Sequence, residues 1–162
     1  MEPPPTERPL TLRVWGNYRI LTATGRDIAP KGMKERGLIS ILALSRDQRR
    51  SRDYLQDKLW STKEATQAQT SLRRALSNIR KTDPALEDVI CADRADVWLR
   101  PARWCVETTR DPPDAELLEN LRIRDPEFES WRRDQQARLV DSARAPPRQA
   151  PYMAPYMTAY MT

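Results

Sequence analysis

Between Gln67 and Lys81 the chain sets out Gln67, Thr70, Arg73, Arg74, Ser77 and Lys81, a run of amide, hydroxyl, guanidinium and ammonium groups that, apart from the adjacent Arg73 and Arg74, stand three or four residues apart. Side chains at that spacing share one face of an α-helix. Ala68, Leu72, Ala75, Leu76 and Ile79 fall between them and make a narrow apolar stripe, so a helix over Ala65–Lys81 buries one side and offers hydrogen-bond donors on the other. Arginine forks bind guanine edges or phosphate oxygens in bidentate fashion, and Gln, Ser and Thr reach bases or phosphates, so the chemistry expected is recognition rather than bond-making. Charge agrees. The net charge is only +5, yet residues 31–81 hold 13 of the 28 basic side chains and 5 of the 23 acidic ones. A local excess of that kind suits a polyanion, whose condensed counterions are released on binding.

Groups that would do covalent chemistry are missing. There is no histidine, and the four glycines are never clustered, which removes His-based triads, most zinc sites and glycine-rich phosphate loops. No coherent carboxylate pair is apparent, so no enzymatic activity, metal or cofactor is expected. Cys91 and Cys105 lack metal-knuckle spacing. A disulfide between them is disfavoured in the reducing cytoplasm, the compartment expected for a chain with neither a signal-peptide-like start nor a membrane-length apolar run. The paired aromatic platform of single-strand RNA readers is also missing.

The elements that must position the donor run follow from periodicity. The length of 162 residues allows one modest domain with appendages. Residues 1–9, with Pro3-Pro4-Pro5, read as an extended leader. Leu10, Leu12 and Val14, then Tyr18 and Ile20, alternate around Gly16-Asn17 as two strands of a hairpin, with a short third strand at Asp27-Ile28-Ala29. Met33, Leu38, Ile41, Leu42 and Leu44 mark a first helix over about 31–45, and Ser51 caps a second over 52–60. Pro84 stops the third. Val89-Ile90-Cys91 and Val97-Trp98-Leu99 flank the polar turn 92–96 as a hairpin of wing type, and a strand is expected at Trp104-Cys105-Val106. The fold class expected is α+β: an N-terminal antiparallel sheet, three helices and a C-terminal β-hairpin wing over 10–108. Residues 109–143 read as a linker and helical appendage, with one helix over Ala115–Leu121 and another capped by Asp125 with Pro126 at its first position. Residues 144–162 end in a Tyr-Met repeat of period four and read as a low-complexity tail.

Within that frame the helix from Ala65 lies across the major groove of duplex DNA, with Gln67, Thr70, Arg73, Arg74 and Ser77 as candidate base or phosphate contacts and Lys81 as a backbone contact. Arg49, Arg50 and Arg52 gather before the second helix, whose N-terminal amides also favour phosphate. Arg94, at the hairpin turn, is a candidate for the sugar-phosphate surface or a minor groove. Asp93 and Asp96 beside it oppose such contact by charge repulsion. A protein-interaction module on the same framework is the competing expectation.

The segment Ser51-Arg52-Asp53-Tyr54-Leu55 to Leu59-Trp60, followed by Thr70-Ser71-Leu72-Arg73-Arg74-Ala75-Leu76-Ser77-Asn78-Ile79-Arg80-Lys81, resembles the OmpR/PhoB-type winged helix-turn-helix domain. The likeness is greatest to the branch in Streptomyces antibiotic regulatory proteins and related bacterial activators, and it covers about residues 10–106. It implies a double-stranded DNA-binding transcriptional regulator whose third helix reads the major groove, as two protomers on direct repeats, with RNA polymerase as a further partner. Leu117-Leu118-Glu119-Asn120-Leu121 to Arg124-Asp125-Pro126-Glu127-Phe128-Glu129-Ser130-Trp131 is similar to the start of the helical bacterial transcriptional-activation domain, here broken off after one helix pair.

Overall fold

Leu10 and Leu12 are buried while Arg13 is exposed, the alternation of a half-buried strand, and they form β1 (Leu10–Arg13) in the computed structural model, which describes residues 9–144. The leader through residue 8 and the tail from residue 145 lie outside the described residues. β2 (Arg19–Leu21) returns antiparallel with Leu12 opposite Ile20, after a turn in which Gly16 takes φ +70°, open to glycine without steric cost. The third strand expected at residues 27–29 is reduced to one bridge, Leu21 to Asp27.

The helix expected over 31–45 is α1 (Met33–Ala43), buried continuously from Gly37 to Ala43 and therefore central. A left-handed turn at Asp47 (φ 60°) and Gln48 (φ 53°) leads into β3 (Arg49–Ser51), which the sequence does not announce. Ser51 then caps α2 (Arg52–Leu59), its hydroxyl accepting from the Tyr54 amide at 3.1 Å. α3 (Ala65–Thr82) buries Ala68, Leu72, Ala75, Leu76 and Ile79, the stripe seen in the sequence.

Pro84 ends α3 as expected but also begins α4 (Pro84–Val89), because Asp83 caps the new helix at the Ala85 amide (2.9 Å) and proline suits a first helical position. Val89 therefore closes a helix instead of opening a strand. β4 (Ile90–Ala92) and β5 (Asp96–Leu99) form the expected hairpin, and β6 (Trp104–Glu107) lies parallel to β1. The strands form two small sheets, β2-β1-β6 and β3-β5-β4. The described residues are thus a mixed α+β domain with two small sheets and five α-helices, of which four, not the expected three, fall within residues 10–108.

The C-terminal segment departs most from expectation. Residues 115–121 are not helical, because their backbone groups bond elsewhere: the Leu118 amide donates to Val14 O at 2.7 Å and the Gly16 amide to Glu116 O at 2.9 Å. An irregular strap results, with Ala115, Leu117, Leu118 and Leu121 all buried. It leads into α5 (Pro126–Arg144), whose Phe128 and Trp131 join the same hydrophobic core as α1, α2 and α3. Gly37 makes that seat: a β-carbon there would lie 2.5 Å from Ile123 Cδ1 and 3.0 Å from Leu59 Cδ2. No helix among the described residues is long and apolar enough to cross a membrane.

Candidate nucleic-acid interface

The packing of α3 decides which of its polar groups face outward. Its five inward residues sit on α1, α2 and α4, and helical geometry then aims Thr70, Ser77 and Lys81 almost directly away from the core. Arg73 lies to one side of this ridge and Arg74 to the other. Gln67, Thr70, Arg73, Arg74 and Lys81 are exposed, and Ser77 is half-buried. Arg73, Arg74 and Lys81 have no ion pair or hydrogen bond among the described residues. Thr70 donates back to Thr66 O at 3.1 Å, leaving its oxygen free to accept. Gln67 sits at the edge of the ridge; three turns further along the same edge, Asn78 is committed to Glu35 at 2.9 Å.

On the Arg73 side the ridge borders a groove of about 540 Å³ whose walls come from three elements: Arg52, Asp53 and Gln56 of α2, Gln69 and Arg73 of α3, and Asp93 and Arg94 of the hairpin. Three of the sequence-predicted cations, Arg52, Arg73 and Arg94, therefore share one concavity. Gln69 and Gln56 were not singled out from the sequence. Gln69 precedes Arg73 by one helical turn, which is the signal that would have found it.

Arg49, Arg50 and Arg52, expected together as phosphate contacts before α2, have different surroundings. Strand alternation along β3 sends Arg49 and Arg50 to opposite faces. Arg50 turns inward, donating to Ser45 Oγ at 2.8 Å with its guanidinium 4.1 Å from the Tyr54 ring. Arg49 stacks 4.2 Å from the Trp98 ring and donates to Asp96 Oδ2 at 3.1 Å, with Asp93 Oδ2 at 3.8 Å. Arg52 remains at the groove, its backbone amide on Ala95 O (2.8 Å) and its Nε on Asp93 O (2.7 Å), so it fastens the hairpin to α2.

The hairpin turn is built around Asp93, whose Oδ1 accepts from the amides of Ala95 (2.8 Å) and Asp96 (2.7 Å). The Asp96 amide foremost, then that of Ala95, holds this carboxyl below the usual aspartate range. Asp93 is thus a structural acceptor, and Arg94 is left exposed at the tip, with no partner among the described residues.

At the far end of α2 the turn into α3 is held by Asp125, only 4% exposed, which accepts from Ser61 N (2.8 Å), Ser61 Oγ (2.6 Å) and Glu127 N (2.9 Å). Burial alone would raise its pKa, but the Ser61 hydroxyl and amide, with the Glu127 and Phe128 amides, bring it below the ordinary value. Lys34 Nζ lies nearby, donating to Leu59 O and sitting 5.5 Å from the Trp60 ring; burial lowers its pKa, and Asp125 partly offsets that.

No group of three or more His, Cys, Asp or Glu side chains is placed to hold a metal ion among the described residues. Cys91 is half-buried, Cys105 is exposed, and both are free thiols. No protein-family model matches the chain, and no curated protein is similar to it.

Proposed function

We propose that this protein is a sequence-specific double-stranded DNA-binding transcriptional regulator of winged-helix type, with α3 in the major groove and the β4–β5 hairpin as the wing. One observation carries the reading: the face of α3 opposite its buried stripe bears Thr70, Arg73, Arg74, Ser77 and Lys81, with their cations unpaired among the described residues. Eighteen residues make α3 about 27 Å long, and a single helix fits a groove about 12 Å wide. The groove beside α3 supports the reading, because Arg52, Arg73 and Arg94 line a channel suited to the sugar-phosphate strand bordering the major groove. Phosphate contacts there would set register while Arg74, Gln67 and Thr70 meet base edges. Pairing on direct repeats and contact with RNA polymerase belong to the same proposal, on the likeness of residues 51–81 to OmpR/PhoB-type regulators.

Selection of bound duplexes from a random pool, followed by titration over a range of salt, tests the reading. A selected consensus and a slope of several units in log K against log salt are expected. A flat slope with no consensus sinks it and favours the protein-interaction module.

A further inference from the structure

The hairpin tip poses a problem for any anionic partner. Asp93, Arg94, Ala95 and Asp96 together carry a net negative charge, and the first two of them line the groove that also holds Arg52 and Arg73. Two carboxylates beside a phosphate strand repel it. Asp93 cannot simply be dispensed with, since its Oδ1 organises the turn through the Ala95 and Asp96 amides.

Arg49 answers this from the neighbouring strand. β3 pairs antiparallel with β5 and sets Arg49 opposite Trp98, whose ring supports the guanidinium at 4.2 Å. From there Nε reaches Asp96 Oδ2 at 3.1 Å and an Nη lies 3.8 Å from Asp93 Oδ2. One guanidinium, oriented by an aromatic face, thus lies against both carboxylates. Arg94 between them has no partner among the described residues and is the group the tip presents.

We propose that Arg49 is a positioning residue for nucleic-acid binding: it neutralises Asp93 and Asp96 and orders the hairpin so that Arg94 meets phosphate, without touching DNA itself. This rests on the DNA-binding reading above. Arg49 is a phosphate contact in the sequence-based expectation, and the two roles separate in a mutant cycle.

The measurement is fluorescence anisotropy of the full chain on its selected duplex at fixed salt, with Arg49→Gln made in the natural background and in one carrying Asp93→Asn and Asp96→Asn. Asparagine keeps an Oδ1 acceptor for the turn but removes the charge. Arg49→Gln is expected to weaken binding about 10-fold in the natural background and less than about 3-fold once the carboxylates are neutralised. Equal losses in both backgrounds make Arg49 a direct contact and overturn the proposal, as does no loss in either. A merely structural arginine would not be rescued by removing the carboxylates. Should Arg49→Gln unfold the chain, NMR of the unmutated protein–DNA complex decides instead: the Arg49 Nε–H stays bonded to Asp96 if the proposal holds and transfers to phosphate if it does not. An unmutated chain that binds no duplex overturns the DNA reading and this proposal with it; one that binds but shows no cycle coupling overturns this proposal alone.

Discussion

Charge is handled in opposite ways at the two ends of the α2–α3 pair. Along the outer ridge of α3, Arg73, Arg74 and Lys81 stand in solvent with no partner among the described residues. At the turn joining the two helices, Asp125 is buried and saturated, taking three hydrogen bonds of 2.6–2.9 Å from Ser61 and Glu127. A buried charge must be fully bonded or it destabilises the fold, whereas an exposed cation costs little and keeps its donors for a partner. The first arrangement holds the molecule together, and the second is available for binding. Substitutions should therefore divide cleanly between loss of stability and loss of binding.

The largest effect is expected at the seam under α5. Phe128→Ala empties a fully buried site against Trp131, Gly37 and their neighbours and should cost about 3–5 kcal/mol in urea unfolding. A loss below about 1 kcal/mol would make the segment a detachable appendage and remove one side of the comparison.

Asp125→Asn should cost about 2 kcal/mol near neutral pH, since charge-assisted bonds become neutral ones. The folded-state pKa of Asp125 is depressed, so its stabilising contribution is present above the unfolded value of about 4 and is lost as pH falls through the folded value. Unfolding midpoints followed from neutral to acid pH should converge for the two proteins below that value. Parallel curves would show that Asp125 is not the group responsible.

Arg74→Ala leaves nothing buried unpaired, and its unfolding midpoint should not move. Under the DNA-binding proposal it costs about 1–3 kcal/mol of affinity and relaxes preference at one base pair. Uniform weakening across sequences would reassign it to phosphate.

Ser51→Ala sharpens the comparison at its boundary, because this cap begins α2 beside the groove. About 1 kcal/mol of stability should be lost through the Tyr54 amide, and under the DNA-binding proposal affinity follows only as far as the folded population does. A larger drop in affinity than in stability would place Ser51 at the interface.

How much of this was legible in the sequence varied with the kind of contact involved. The stripe of α3 was readable because each of its members recurs at helical spacing and packs through side chains alone. The Ser51 cap was readable because it acts within three residues. β3 was not, since Arg49-Arg50-Ser51 is a polar edge strand that exists by pairing with β5, 45 or more positions away. The strap at residues 115–121 misled for the opposite reason. Its composition favours a helix, but Val14, Gly16 and Tyr18 capture its backbone and side-chain groups, the Tyr18 amide donating to Asn120 Oδ1 at 3.0 Å. Propensity differences of a few tenths of a kcal/mol per residue yield to such bonds together with four buried apolar side chains.

The candidate site divides along the same line. By itself the sequence determined which residues of α3 face away from the core, because an apolar stripe on a rigid helix leaves only one orientation for the rest. Tertiary structure alone decided that Arg52, Arg73 and Arg94 meet in one groove and that Arg49 is spent on Asp93 and Asp96. The partner of an exposed cation is set by which chain segments are brought beside it, and strand pairing over dozens of residues leaves no periodic mark in the sequence.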